Sequence, residues 1–151
     1  MLYHLDSHSS TFPNPRPDGS ESCREWPPYP EQKAWLEATH RSVQLKSGST
    51  PSLLFYHNPL PEFNDLWMFD GTYGAHGEMV CCAPVNSGLF EMLHQLGDFR
   101  GVFSGHDHTN SFSGTRLGIL LAYGRCSGNY RWALWPVEHA DHELAQRQPN
   151  H

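Results

Sequence analysis

Basic charge is scarce in this sequence: 10 Lys and Arg stand against 16 Asp and Glu, a net charge of −6 with histidine neutral. A nucleic-acid or anionic-membrane binder presents a basic surface, so this balance argues against both. No apolar run approaches the roughly 20 residues of a membrane helix, and no membrane segment is expected. The opening Met1-Leu2-Tyr3-His4-Leu5-Asp6 lacks the basic and apolar parts of a signal peptide, which makes cytoplasmic the default expectation for location. Cys23, Cys81, Cys82 and Cys126 form no Cys-x-x-Cys knuckle, which argues against a structural zinc ribbon. Adjacent Cys81 and Cys82 do not pair easily with each other, so the cysteines read as reduced thiols. No Asn-x-Ser/Thr acceptor for glycosylation occurs.

Histidine, by contrast, is abundant: 11 of 151 residues, more than Lys and Arg together. The 13 glycines and 12 prolines describe a loop-rich chain, and the length suits one domain.

Leu2 to Asp6 reads as a short strand. From Ser7 to Pro30 six prolines stand among Ser, Asn and Gly, which predicts an irregular surface loop. Glu31 to Lys46 has no Gly or Pro, an acidic start and a basic end, as a helix dipole favours. Its apolar face is expected from Trp35, Leu36, Ala38, Val43 and Leu45. Ser52 to Tyr56 is a continuous apolar run, the texture of a strand buried on both faces, and it delivers His57 to its end. Pro59 to Val80 reads as a long loop. Ser87 to Leu96 places Leu89, Phe90, Leu93 and Leu96 on one helical face, with Gly97 as the stop. Phe99 to Ser104, Leu117 to Tyr123 and Arg131 to Val137 read as further strands. Strands alternating with helices give an α/β (α+β) layered fold with a mixed sheet and flanking helices. The domain is expected over residues 1–138, with 139–151 a polar, disordered tail.

Two strand ends thus present histidines: His57, then His106 and His108 after Gly105. Ligands in α/β sheets gather beyond the carboxyl ends of strands, and neutral imidazole suits zinc, iron and manganese ions. A His-x-His pair alone is weak, being expected by chance roughly 0.8 times in a chain this rich in histidine. The context of strand, then Gly-His-Asp-His, then Asn110 carries more. Asp107 is placed as a residue behind the ligands that orients a ligand histidine. Asn110, with Glu62, is placed as a loop-bonding residue. Trp35, Trp132 and Trp135 read as core or half-covered surface. The other histidines, His40 among them, read as surface or packing residues. Cys81 and Cys82 have no base nearby in sequence and are not taken as nucleophiles.

Gly105-His106-Asp107-His108 resembles the Gly-His-x-His signature of the calcineurin-like metallophosphoesterases, and Phe55 to Phe63 around His57-Asn58-Pro59 resembles their preceding histidine motif. Collinear pieces are Leu5-Asp6-Ser7, Glu31-Gln32 with Trp35-Leu36, Glu78, Val85 to Phe90, Gly97-Asp98, Val102-Phe103-Ser104, Asn110-Ser111-Phe112 and Tyr123-Gly124. They are similar to the purple acid phosphatase-like branch. The resemblance implies the C-terminal half of a four-layer αββα sandwich holding two metal ions (Fe, Zn or Mn). His57 and His106 would bind one ion and His108 the other. The implied reaction is hydrolysis of phosphate monoesters by a metal-bridging hydroxide.

The family's Asp-x-His, bridging aspartate and Asn-His pair belong before the Leu-Asp-Ser strand. None is carried onto Asp6-Ser7-His8, Asp98 or Asn150-His151. The ligand set is therefore expected to be incomplete here, and the catalytic acid histidine has no counterpart. The missing N-terminal half, or self-association through uncovered strand edges and apolar surface, is the expected partner, and phosphate esters the expected substrate. The alternative is a catalytically inactive, truncated module with residual metal or partner binding.

Overall fold

The structure, a computed structural model, describes residues 1–7, 27–68 and 71–126. Most of the proline-rich loop, the expected strand Arg131 to Val137 and the tail 139–151 lie outside the described residues.

Among the described residues, five strands form one mixed sheet: β1 (Leu2–Leu5), β2 (Ser52–Tyr56), β3 (Phe99–Ser104), β4 (Ser113–Arg116) and β5 (Ile119–Tyr123). Their order is β1-β2-β3-β5-β4. The first four in that order run parallel, and β4 pairs antiparallel with β5 on the edge. Parallel neighbours need crossovers. Helix α1 (Pro30–Ser47) supplies the one between β1 and β2; helix α2 (Leu89–Leu96) lies in the one between β2 and β3. The chain is α/β, as its alternation of apolar runs predicts.

Proline at the first position of α1 suits a site whose N–H would have no helical partner. Gln32 accepts the N–H of Tyr29 at 3.1 Å, and its Nε2 donates to the carbonyl of Asp6 at 2.8 Å. One side chain thus caps α1 and ties its start to the end of β1. Gly97 ends α2 at φ 81°, donating its N–H to the carbonyl of His94 at 3.1 Å.

Four expectations change. The face of α1 rests on Leu36 and His40, both 0% exposed, whereas Trp35 is 52% and Leu45 89% exposed. The segment read as loop from Pro59 contains a 3-10 helix, Pro61–Met68, which buries Phe63 and Leu66. Strand β4 was not expected, because Ser-Gly-Thr-Arg has no apolar pattern; an edge strand needs none. Leu117 and Gly118 are not strand but a turn, with φ of 46° and 80°. Positive φ at both residues is the hairpin geometry that matches sheet twist.

One core joins the inward side of the sheet to every described helix. Tyr3, Leu54, Tyr56, Val102, Leu121 and Tyr123 pack there with Leu36, Phe63, Leu89, Phe90 and Leu93. Each such side chain, fully buried, contributes about 1.5–3 kcal/mol. Among the described residues no helix covers the opposite side. His4, Phe55 and Phe103 stack along it at 4.8 and 5.1 Å between centroids, flanked by exposed Leu2 and Leu120.

At the amino end of the sheet Asp98 gathers polar partners. Ser49 Oγ donates to it, as do Gln44 Nε2 at 2.7 Å and the N–H of Thr50 at 3.3 Å. His40 Nε2 stands 3.4 Å from the same carboxylate, and its Nδ1 meets Tyr3 Oη at 3.1 Å. The Ser49 and Gln44 hydrogen bonds, with lesser help from Thr50 and His40, hold the Asp98 carboxyl at about 2 against an ordinary 3.8. A depressed folded value stabilises the native state above the unfolded one, and that gain is lost as pH falls through the folded one. The stability gap between the wild-type protein and Asp98→Asn is therefore expected to narrow as pH falls from about 4 to about 2, read as urea midpoints across that range.

Candidate metal centre

The carboxyl ends of β2, β3 and β5 stand level. Phe55 pairs with Phe103, and Ser104 with Tyr123. Beyond them, the N–H of Gly105 donates to the carbonyl of His57 at 3.0 Å, and that of Gly124 to the carbonyl of Ser104 at 2.7 Å. These bonds carry the register past the strands and fix where His57 and the Gly105 loop leave the sheet. A Cβ on Gly105 would lie 3.3 Å from His57 Nδ1, so the imidazole packs against this glycine.

His57 Nε2 and His106 Nδ1 approach to 3.3 Å, with their rings at 86°. Two nitrogens bound to one tetrahedral zinc at about 2.0–2.1 Å stand roughly 3.3–3.4 Å apart. The same spacing lets two neutral rings share an N–H···N hydrogen bond, so the pair suits a proton or a cation between its nitrogens. In chemistry and spacing this donor set fits two of the ligands of one ion. His108 is exposed, one residue beyond Asp107 on the same loop.

Among the described residues, the one group of three or more His, Cys, Asp and Glu side chains with ligand atoms within 4.8 Å of one another is Cys81, His106 and Asp107. It is not a ready thiolate site. Cys81 is disulfide-bonded. That corrects the reading of all four cysteines as thiols. Cys82 is free, and burial pushes its thiol up, away from the reactive thiolate.

Asp107 is buried, and both its oxygens are engaged. Tyr123 Oη donates to Oδ2, and the N–H of Cys81 reaches Oδ2 at 3.1 Å and Oδ1 at 3.3 Å. Burial raises the Asp107 carboxyl, and the Tyr123 and Cys81 bonds only partly offset it. Burial, then Asp107 itself, likewise raises the Tyr123 hydroxyl.

Asn110 is buried too, and its Oδ1 accepts the N–H groups of Gly77 at 3.0 Å and Glu78 at 3.1 Å. Glu78 answers by accepting the N–H of Thr109 at 2.6 Å, and the N–H of Ser111 donates to the carbonyl of Ala75 at 2.9 Å. The segment from Tyr73 to Cys81 is thereby laid along the segment from Asp107 to Ser113. Glu62 accepts from Asn86 at 2.7 Å, a loop contact away from these bonds.

The sequence singled out Asp107 and Asn110 as supports; in the structure both are buried residues of the loop that carries His106 and His108. It missed Tyr123, whose hydroxyl lies at the end of an otherwise apolar strand. A polar group ending a buried strand was the available signal. Among the described residues no helix is long and apolar enough to cross a membrane.

No family model matches the chain. Three curated proteins of Arabidopsis thaliana are similar to it. Probable inactive purple acid phosphatase 14 is 38% identical over 108 residues, 71% of this chain and 26% of its own length. Probable inactive purple acid phosphatase 29 is 36% identical over 62% of this chain and 26% of its own length. Probable inactive purple acid phosphatase 28 is 36% identical over 62% of this chain and 24% of its own length. The chain thus spans about a quarter of the length of these relatives. This similarity bears out the resemblance to the purple acid phosphatase-like branch of the metallophosphoesterases, over part of its relatives' length.

Proposed function

We propose that the chain carries the histidine part of a two-metal phosphoesterase site. His57 and His106 hold one ion, His108 contributes to the second, and Asp107 and Asn110 fix the loops that bear them. The single observation behind this reading is the 3.3 Å approach of His57 Nε2 to His106 Nδ1 at the tips of neighbouring parallel strands. Bound Fe, Zn or Mn ions would supply Lewis-acid stabilisation of a phosphate ester and a nucleophile at neutral pH. The chain's own residues supply the rest of this half: His57 is seated by Gly105, His106 is aimed by its turn, and the Asn110 strap keeps the loop in place. A bridging carboxylate and an acid histidine come from further polypeptide or a second copy. The side of the sheet with the His4-Phe55-Phe103 stack is where a second layer of an αββα sandwich would rest. The partial phosphoesterase domain then spans residues 1–138.

A second reading is a catalytically inactive module that keeps metal or partner binding, favoured by the word "inactive" in the relatives' names. Assay of the chain on 4-nitrophenyl phosphate with added zinc or manganese, alone and with polypeptide that carries the absent carboxylate and acid histidine, separates the possibilities. Turnover only with that added polypeptide supports the half-site, and metal binding with no turnover in either case supports the inactive module. Robust turnover by this chain alone contradicts the missing-ligand argument.

A further inference from the structure

We propose that Tyr123 is a positioning residue for the histidine pair: its hydroxyl anchors Asp107, and Asp107 pins the turn that aims His106 Nδ1 at His57 Nε2. This rests on the metal-site reading above and adds to it a residue with a role in holding the site.

The turn itself is unusual. The N–H of Asp107 donates to the carbonyl of Gly105 at 2.7 Å, closing a three-residue turn around His106. His106 sits at φ 60°, in the left-handed region that a residue with a Cβ rarely enters. A γ-turn with positive φ at its centre is a rare and strained form. Such conformations persist only where the surroundings over-determine them. Released, His106 would relax to negative φ, and its ring would leave the nitrogen of His57.

The surroundings that hold it converge on the next residue. Asp107 is buried, and its carboxylate is gripped from two sides: by Tyr123 Oη from β5, and by the N–H of Cys81 from the strapped segment. Tyr123 is itself immobilised, with its ring 4.9 Å from Phe63 and 4.8 Å from Phe112, both fully buried. The path is therefore short and continuous: aromatic core, Tyr123 hydroxyl, Asp107 carboxylate, γ-turn, His106. On the other side of the pair, Gly105 both seats the His57 ring and bonds its carbonyl. One ring is thus held by the sheet and the other by the Tyr123–Asp107 anchor.

Tyr123→Phe tests this because it keeps the ring and its packing and deletes only the hydroxyl. Partners that orient metal ligands change affinity by about 10–100-fold when removed. The full-length variant is expected to remain folded and to bind Zn2+ about tenfold or more weakly than the wild-type chain in calorimetric titration. In the metal-free protein, the ring 15N resonances of His57 and His106 are expected to shift, as their shared contact is lost. Asp107→Asn, which keeps one acceptor, provides a second variant should the first fold poorly, with the same expected direction. A purely structural role would lower the unfolding midpoint and leave both the affinity of the folded protein and the ring resonances unchanged; that result overturns the proposal. A wild-type chain that binds no metal would overturn the metal-site reading, while the metal-free ring resonances would still decide whether Tyr123 positions the pair.

Discussion

Phe112→Ala is expected to lower the unfolding free energy by about 3–5 kcal/mol, among the larger effects of any single substitution in the chain. Phe112 is 1% exposed and sits where the histidine loop rejoins the sheet. Its ring meets Phe63 at 6.3 Å, Trp67 at 5.0 Å, His76 at 5.3 Å and Tyr123 at 4.8 Å between centroids. Truncation removes the ring's apolar burial and leaves a cavity among four rings that belong to three different segments. The 3-10 helix, the strapped segment and β5 cannot all close on it together, because the backbone of Phe112 is held by the N–H of Tyr123 at 3.0 Å. Urea denaturation measures the loss. A change below about 1 kcal/mol would mean that the aromatic cluster repacks freely and does not brace the loop above it.

Gly74→Ala is expected to be nearly as damaging, for a different reason. Gly74 has φ 110°, and a Cβ there would lie 2.2 Å from the carbonyl oxygen of Ser111 and 2.8 Å from the Cα of Phe112. Both obstacles are backbone, so no side chain can rotate away. The ladder between Tyr73 and Ser113, bonded in both directions at 2.8 and 2.9 Å, must open to admit the methyl group. Overpacking of this kind costs about 1–3 kcal/mol, and a residue with a Cβ at this φ adds about 1–3 kcal/mol more. The damage is local, so amide hydrogen exchange is the sensitive readout. The N–H groups of Tyr73 and Ser111 should lose protection while those of β2 and β3 keep theirs. Retained protection at Tyr73 and Ser111 would show that the strap tolerates a side chain at its closest approach.

Much of this architecture is legible in the sequence where apolar residues recur on one period. Ser52 to Tyr56 and Phe99 to Ser104 are strands because Leu54, Tyr56, Phe99 and Val102 reach the core while Phe55 and Phe103 stack on the other side of the sheet, and Leu89, Phe90, Leu93 and Leu96 can share one face only as a helix. The signal fails where packing does not need apolar residues. Strand β4 is polar and exists because the turn at Leu117 and Gly118 folds it against β5. The buried face of α1 includes His40, which a hydrophobic pattern passes over, because its polar atoms find Tyr3 and Asp98 across the core. Leu45 carries the apolar character the pattern seeks, yet it is exposed to solvent.

The candidate site divides in the same way. Strand ends and Gly-His-Asp-His point to His57, His106 and His108 from sequence, and the structure brings the first two into contact. The anchor beneath them is not local in sequence. Tyr123, Asp107 and Cys81 come from three segments, and only the folded sheet makes them neighbours. The disulfide state of Cys81 was equally invisible, since pairing depends on where distant chain segments meet.

The central claim is that the paired imidazoles of His57 and His106 bind a metal ion. Calorimetric titration of the full chain with Zn2+, repeated on His57→Ala, His106→Ala and His108→Ala, tests it most directly. The account predicts that either substitution in the pair weakens binding by at least about tenfold, as the loss of one zinc ligand requires. The His108 variant is predicted to spare the site at the pair and to lose only what a second ion contributes. Metal binding unchanged in all three variants would contradict the account.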